Sequence, residues 1–476
     1  MNGGKIMQNK KIMVILIIML LIFTATVSSA NIISSNKSDI VKSTEISKSS
    51  TNAKWTLMMY CAFDNHRDAE KEFTFDIFKS VGSSEDVNLV ALVDTRSVGD
   101  TNYCYIQQDL VIPLSWYESE SDMGHPDTLK RFIELSKNQY PADHYALFVL
   151  STHGSSWQGL GGDTHGTGSS SDLSLINMKD YKDILTDVTN NGSDKLDVAA
   201  FEICITGGLE VACQISPYVN YMLSTEEHGF GGEDGLSEEG TVLEWNYTSF
   251  LNELRFNPDM TPEEFVSFVV GSYQAGTYVS TVLGFNMPEF YPIKKYYTTL
   301  SATNLSKSDQ LKNDVSTLAE KLTDNLPDVK PNIRKAREDT REYGILYPRF
   351  WWLPTTLSFG LAYEPWGYDC FIDVYDFSSR LREEVDVQEV KDACTNVMNS
   401  LDEAIIASES LPTDPSYGLH IYFPQLRCQY DQSIWKGMKN PTFRNIPVKY
   451  EELDFSEDNV WDEFLKTYLN ILQFYP

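Results

Sequence analysis

The sequence is poor in positive charge. Lys and Arg number 38 against 68 Asp and Glu, which gives a formal net charge of -30. A field of this sign repels a phosphate backbone, so we predict no nucleic-acid partner. It suits a protein that works outside the cell or attracts basic substrates. The chain has 476 residues and is 42% hydrophobic, which indicates a globular protein built from more than one part.

Several motifs of well-known hydrolases and metal sites are absent. The lack of a CxxC pair excludes zinc ribbons and thioredoxin-type sites, and the lack of GxSxG argues against a serine hydrolase. No EF-hand loop and no HExxH motif occur. His144, His153, Asp163 and His165 nevertheless lie close together in the sequence, and they leave a metallohydrolase open as an alternative.

Cysteine is scarce and scattered, which is not the pattern of a disulfide scaffold. The seven cysteines are Cys61, Cys104, Cys204, Cys213, Cys370, Cys394 and Cys428. All except Cys204 are interpreted as core or paired residues, because an isolated cysteine usually behaves as a small hydrophobic side chain. The odd number leaves at least one thiol outside any intramolecular pair.

Long hydrophobic runs are limited to residues 12–23. As a helix this run would span about 18 Å, which is short of the roughly 30 Å hydrocarbon layer of a membrane. Three lysines precede the run and small residues follow it up to Ala30, so we predict a signal peptide over 1–30 and a flexible leader over 31–53. The expected location is secreted or cell-surface. A membrane association is expected only if this segment stays uncleaved.

Apolar runs of strand length alternate with segments of helical periodicity. The predicted strands cover residues 55–62, 87–94, 145–150, 197–201 and 218–224, with helices at 64–79, 127–137, 177–188 and from 208 to 215. Because each strand is apolar throughout, we predict an α/β fold with a mostly parallel sheet covered by helices on both faces.

The alternation weakens after about residue 240, where helical patterns dominate. We predict helices at 261–273, 308–325, 387–410 and 461–472, and a late strand at 418–423. The proposed division is a core with a helical extension over 54–355 and a mainly helical C-terminal α+β part over 356–476 that packs on the core.

Two of the predicted strands end in residues that suit nucleophilic catalysis. His153 and Gly154 follow the end of the strand predicted at 145–150, and Cys204 follows the end of the next predicted strand, at 197–201. In parallel sheets, function sits beyond the carboxyl ends of the strands, so the imidazole and the thiol are expected side by side. Their separation of about 50 residues is that of caspase-type enzymes. The backbone N–H groups of Gly154 and Cys204 would form the oxyanion hole.

Six stretches in this order resemble the clostripain family of cysteine peptidases. They read WTLMMYCAFDN, STHGSSWQG, FEICITGGLEVA, MLSTEE, GLHIYFP and LDFSEDNVWDEFL. The resemblance implies a caspase–hemoglobinase fold, a caspase-like α/β/α sandwich. It also implies a catalytic dyad of His153 and Cys204 that cleaves peptide bonds after Arg or Lys.

The resemblance also implies acids that bind the basic substrate side chain. The family has Asp two residues before the cysteine, where this sequence has Glu202. For the second acid we choose Asp234, with Glu227 and Glu233 as rivals. The alternative is that these acids belong to a solvated acidic surface. No cofactor is expected to be required, and calcium is compatible with the acidic composition.

The expected partners are peptides or proteins with basic residues. A catalytically silent surface-binding protein that keeps the peptidase fold is the alternative from a different functional class. Both members of the expected dyad are present, which favours the enzyme.

Some relatives cleave themselves in the loop after the histidine, and here residues 155–176 contain no Lys or Arg. Under basic specificity we therefore expect no cut in this loop, and any internal processing between the dyad members at Lys179, Lys182 or Lys195. Intact-mass analysis of the purified active protein tests this expectation. A cut within 155–176 would contradict it.

Overall fold

The computed structural model describes residues 52–151, 156–163, 174–227, 245–278, 296–343, 371–425, 430 and 448–470. The strands are, in chain order, β1 Ala53–Ala62, β2 Val87–Asp94, β3 Asn102–Gln107, β4 Leu110–Pro113, β5 Ala142–Leu150, β6 Leu160–Asp163, β7 Ser174–Ile176, β8 Leu196–Glu202, β9 Val219–Ser224, β10 Thr277–Tyr278, β11 Tyr296–Tyr297, β12 Leu300–Asn304, β13 Glu342–Tyr343, β14 Phe371–Asp373, β15 Ile405–Glu409 and β16 His420–Tyr422.

The α-helices are α1 Glu70–Val81, α2 Pro126–Gln139, α3 Met178–Val188, α4 Leu209–Ile215, α5 Tyr247–Phe256, α6 Pro262–Gly271, α7 Ser308–Asp324, α8 Leu326–Asp339, α9 Val374–Glu384, α10 Gln388–Ala404, α11 Asp454–Glu457 and α12 Trp461–Tyr468. Within the described residues, no helix is long and apolar enough to cross a membrane.

A nine-stranded sheet organises the described part of the chain, in the order β15-β12-β9-β8-β5-β1-β2-β3-β4. Its central strands, from β9 to β2, pair in parallel, whereas the pairs at both edges are antiparallel. The parallel strands therefore place their carboxyl ends along one edge, and β5 and β8 are direct neighbours there.

Alternate residues of the central strands face opposite sides of the sheet, as the two-residue period of a strand requires. On β1, Met58 and Tyr60 join the core that packs against α2, α3 and α7. Leu57 and Met59 join the core that packs against α1, α5 and α6. Because both faces are covered, most positions of these strands are apolar, which produces the long apolar runs in the sequence.

The predicted fold class is confirmed, and the central strands and most helices lie within a few residues of their predicted limits. The prediction of one helix over 387–410 is wrong at its end. The chain leaves α10 at Ala404 and continues as β15, which pairs with β12. Five residues of half-buried edge strand carry too weak an apolar pattern to be separated from the preceding helix.

The C-terminal region adds strands to the fold as well as helices. β15 lies at the edge of the main sheet, and β13, β14 and β16 form a second, antiparallel sheet. β16 also reaches the segment between β8 and α4 through a bridge between Gly208 and His420. The division into 54–355 and 356–476 stays a prediction.

Candidate active site

The neighbouring strands β5 and β8 bring two of the predicted site segments to one edge of the sheet. Leu150, the last residue of β5, is paired with Glu202, the last residue of β8. Cys204 follows two residues after the end of β8, in a turn, and its side chain is half-buried. His153 and Gly154 lie outside the described residues.

The guanidinium of Arg67 joins the ends of these two strands. Its Nη1 lies 3.4 Å from both the Ser151 and the Glu202 carbonyl oxygens, and its Nη2 donates to Glu202 Oε1 at 2.5 Å. Nε donates to Glu70 Oε2 at 2.7 Å. Burial alone would lower the pKa of Arg67, but the two carboxylates outweigh it and raise the pKa. Arg67 therefore stays charged beneath the strand ends.

The turn that carries Cys204 is held by backbone hydrogen bonds from remote segments. The Ile205 N–H donates to the Glu227 carbonyl at 2.9 Å, and the Gly207 N–H donates to the Thr225 carbonyl at 2.7 Å. The Gly207 carbonyl in turn accepts from the His420 N–H at 2.8 Å. These bonds link the turn to the segment after β9 and to β16.

Ile205 adopts a left-handed backbone conformation directly after the cysteine. Its φ is 52°, a region that β-branched residues rarely occupy, while its side chain is buried. Such a conformation costs on the order of 1–3 kcal/mol and persists only where the surroundings hold it in place. The hydrogen bonds of the turn supply that constraint, so the position of Cys204 is determined by its surroundings rather than by local preference.

Two hydrogen bonds hold the chain before and after the predicted histidine against residues on either side of Cys204. The Ser151 N–H donates to the Glu202 carbonyl at 3.3 Å, and the Ser156 N–H donates to the Ile205 carbonyl at 2.7 Å. Between these anchors lie residues 152–155, which are outside the described residues. The segment that contains His153 therefore begins and ends against the residues that flank Cys204.

The other described cysteines differ from Cys204 in exposure. Cys61, Cys104, Cys213 and Cys394 are buried. Burial raises the pKa of each of these thiols, to about 12 for Cys104 and Cys394, so they stay protonated at neutral pH. The expectation that they are core residues is met, whereas Cys370 and Cys428 lie outside the described residues.

A group of buried polar side chains lies behind the cysteine turn, around Gly208. A Cβ on Gly208 would lie 2.9 Å from His420 Cε1, 3.0 Å from Ser156 Oγ and 3.2 Å from Glu210 Oε2. Burial lowers the pKa of His420 to about 3 and raises that of Glu210 to about 7. The close approach of these groups to the backbone explains why the residue here has no side chain.

The predicted pocket acids have partners within the protein. The Glu202 carboxylate contacts Arg67 and accepts a hydrogen bond from the Tyr247 hydroxyl. Glu227 is buried and accepts from Arg341 Nη2 at 3.0 Å. The predicted roles of Glu202 and Glu227 in substrate binding therefore stay predictions, and they would require a substrate cation to compete with a buried arginine. Asp234 and Glu233 lie outside the described residues.

The residues suggested for a metallohydrolase are not brought together where they are described. His144 lies near the amino end of β5, packs against Trp55 with the two rings tilted by 37° and has Nδ1 3.3 Å from Asp197 Oδ2. Asp163 ends β6 and accepts from the Met123 N–H at 2.7 Å. His144 stands six positions before the carboxyl end of β5, which is about 20 Å along a strand.

Sequence reasoning missed Arg67 and His420 as residues that hold the site together. Arg67 donates a hydrogen bond to Glu202, which lies 135 positions further along the sequence, and no local pattern predicts such a pair. His420 lies in the stretch GLHIYFP, which carries part of the family resemblance, so this stretch was the available signal.

A half-exposed cysteine at the carboxyl edge of a parallel sheet covered by helices on both faces is the arrangement of the caspase-like cysteine peptidases. The sequence profile of the clostripain family, Peptidase_C11, matches residues 59–468. The chain belongs to the clostripain family and is a cysteine peptidase.

Similar proteins agree with this assignment. Clostripain from Hathewaya histolytica is 23% identical over 450 residues, which cover 82% of this chain and 78% of clostripain. The structure of an inactive zymogen C11 protease from Parabacteroides distasonis superposes with a TM-score of 0.55 at 16% identity, over 86% of this chain and 99% of that one. A secreted C11 cysteine protease from Bacteroides thetaiotaomicron, in complex with an irreversible peptide inhibitor, gives 0.52 at 15% identity, over 81% and 97%. These structures share the fold.

Gly208→Ala is expected to lower the unfolding free energy by about 1–3 kcal/mol, because the new Cβ would crowd His420 and Ser156. Turnover of a peptide reporter should fall as well, since the turn that carries Cys204 must shift. Gly271→Ala is the matched control, because nothing lies within 4 Å of a Cβ at that exposed position. Urea unfolding and reporter assays measure both effects. Equal effects of the two substitutions would contradict the crowding argument.

Glu202→Gln is expected to lower the unfolding free energy by about 2–4 kcal/mol, because it leaves the buried Arg67 with one carboxylate partner fewer. Glu338→Gln, which breaks an exposed pair with Arg334, should change it by less than about 1 kcal/mol. Urea unfolding compares the two variants. Unchanged stability together with a raised KM for basic substrates would instead make Glu202 a residue of the substrate pocket.

Proposed function

We propose that this protein is a secreted cysteine endopeptidase that cleaves peptide bonds after Arg or Lys through a dyad of His153 and Cys204. The thiolate of Cys204 attacks the carbonyl carbon of the scissile bond. His153 protonates the leaving amine and then activates the water that hydrolyses the acyl-enzyme. The backbone N–H groups of Gly154 and Cys204 stabilise the oxyanion.

The pairing of Leu150 with Glu202 carries this proposal. It brings the chain that leads to His153 and the chain that leads to Cys204 to adjacent positions at one edge of the sheet. The two hydrogen bonds that anchor Ser151 and Ser156 beside Cys204 support the same arrangement. The half-buried state of Cys204 also fits a nucleophile that must reach substrate, in contrast to the buried cysteines elsewhere.

The net charge of the protein and its resemblance to the clostripain family support a preference for basic residues. The net charge of -30 attracts cationic peptides, and the resemblance to the clostripain family implies cleavage after Arg or Lys. Because arginines inside the protein occupy Glu202 and Glu227, Asp234 is our first choice for the acid that meets the substrate cation.

The proposed chemistry needs a thiol, an imidazole and backbone N–H groups, so no cofactor takes part in bond cleavage. We propose that the enzyme is exported, on the basis of the signal-peptide pattern over residues 1–30. Residues 1–30 lie outside the described residues.

Cys204→Ala is expected to lower kcat/KM for an Arg or Lys reporter peptide by at least about a thousandfold, because it removes the nucleophile. Cys213→Ala is the matched control, since that thiol is buried on α4 and should leave turnover nearly unchanged. The reporters should differ only in the residue before the scissile bond, with Arg, Lys and Gln compared.

Unchanged turnover of the Cys204→Ala variant would contradict the assignment of Cys204 as the nucleophile. Equal cleavage after Gln and after Arg or Lys would contradict the proposed preference for basic residues, but it would not affect the assignment as a peptidase.

A further inference from the structure

The segment that follows β9 supports the turn that carries Cys204. The backbone carbonyls of Thr225 and Glu227 accept two of the N–H groups that hold this turn in place. Glu226 lies between these two acceptors. A change at the Glu226 side chain that shifts its backbone therefore also shifts the turn.

The side chain of Glu226 is buried and accepts no hydrogen bond. Its exposed fraction is 1%, and neither Oε1 nor Oε2 meets a donor. Among the residues that the structure describes, no Lys or Arg forms a salt bridge with it. An ionised carboxylate without water or a donor is costly, whereas a protonated carboxyl needs an acceptor for its O–H group. These surroundings favour the protonated form of Glu226.

Asp373, the last residue of β14, offers the acceptor that a protonated Glu226 needs. The Glu226 carboxyl lies within hydrogen-bonding reach of the Asp373 carboxylate. Asp373 itself accepts from the Asp376 N–H at 2.6 Å and from the Tyr417 N–H at 2.7 Å. Because these two donors stabilise a negative charge, Asp373 is the member of the pair that is suited to be ionised.

The other groups that face Glu226 do not offer it a cation. Asp414, between β15 and β16, adds a further negative charge, and the Tyr343 hydroxyl on β13 is neutral. Arg341 is engaged with other carboxylates. Its Nη2 donates to Glu227 at 3.0 Å, and its Nε donates to Asp414 at 3.1 Å. The positive charge of this region is therefore already used.

The two carboxyls of the pair differ in their affinity for a proton. Burial and the charges of Asp373 and Asp414 raise the pKa of Glu226 well above its ordinary value. Burial raises the pKa of Asp373 only to about 6, because its backbone donors oppose the effect. At neutral pH the pair therefore holds one proton.

We propose that Glu226 carries a proton in the active enzyme, donates it in a hydrogen bond to Asp373, and thereby positions the turn that carries Cys204. This bond joins the segment after β9 to β14 and holds Thr225 and Glu227 where their carbonyls meet the turn. Glu226 is thus a positioning residue that acts through the backbone. The positioning role rests on Cys204 as the proposed nucleophile, whereas the protonation of Glu226 does not.

The proton on Glu226 makes stability depend on pH. The unfolded chain releases this proton near pH 4.3, whereas the folded protein keeps it to a higher pH. Stability is therefore lost as the pH rises from about 4.3 to the pKa of Glu226 in the folded protein. Over that range this group should raise the unfolding equilibrium constant by up to about tenfold per pH unit. Above it, two adjacent carboxylates repel each other, and turnover should fall.

Glu226→Gln in the full-length protein tests the proposal, because the amide stays neutral at every pH and can still donate to Asp373. Its kcat for an Arg or Lys reporter at neutral pH should lie within about threefold of the parent, and its unfolding in urea should lack the added pH dependence. Glu226→Ala removes the donor, so kcat should fall at least about tenfold with little change in KM. Glu85→Gln is the matched control, since Glu85 is an exposed acid before β2 and should change neither quantity.

Infrared spectroscopy detects the proton through the C=O stretch of a protonated carboxyl and does not depend on activity. At neutral pH, the difference spectrum between the parent and Glu226→Gln should contain this band, whereas the difference spectrum between the parent and Glu85→Gln should lack it. Infrared spectra and urea unfolding keep the test decisive if Glu226→Ala fails to fold. They also test the protonation of Glu226 if Cys204 is not the nucleophile.

A difference spectrum without the band, or the same pH dependence of unfolding in the parent and in Glu226→Gln, would mean that Glu226 is ionised and would overturn the proposal. Unchanged kcat in Glu226→Ala would overturn the positioning role. A raised KM for basic reporters in Glu226→Gln, with kcat unchanged, would make Glu226 a substrate-binding acid and would also overturn it.

Discussion

The buried guanidinium of Arg67 ties together the two strand ends from which the candidate active site is built. An arginine cannot lose its proton inside a protein, so its carboxylate and carbonyl partners must stay within hydrogen-bond distance. Those partners include Ser151 and Glu202, the residues at which the chain leaves β5 and β8. Arg67 therefore reinforces a spacing between the two strand ends that the parallel pairing of β5 with β8 already sets. Both segments that are proposed to carry the chemistry start from this point.

The conformation of the turn that carries Cys204 depends on parts of the chain that are far away in sequence. Ile205 keeps an unfavourable left-handed conformation because the segments around Ser156, Glu227 and His420 bind the turn that contains it. The C-terminal region thus contributes directly to the position of the nucleophile, through the bond from His420 to Gly207. A core that ended before residue 355 would lack this contact. The similarity to the clostripain family likewise includes this region, since it extends to residue 468.

Much of the fold could be predicted because burial leaves a periodic signal. Strands covered on both faces, such as β1 and β2, are apolar at most positions and are recognisable from a few residues. Short edge strands such as β4 and β15 are only partly buried, so their pattern does not stand out from the neighbouring helix or loop. The position of Cys204 was predictable for the same reason, since it follows directly after a recognisable central strand.

Side-chain periodicity along the chain reflects burial on each side, so it identifies the central strands of the sheet and most of the helices next to them. The same pattern shows that a cysteine follows a central strand. Tertiary folding brings charged groups from remote segments together. It pairs Glu202 with Arg67 and Glu227 with Arg341, over 135 and 114 positions of sequence. Remote partners such as these meet because they are close in space, and their separation along the chain does not reveal that distance.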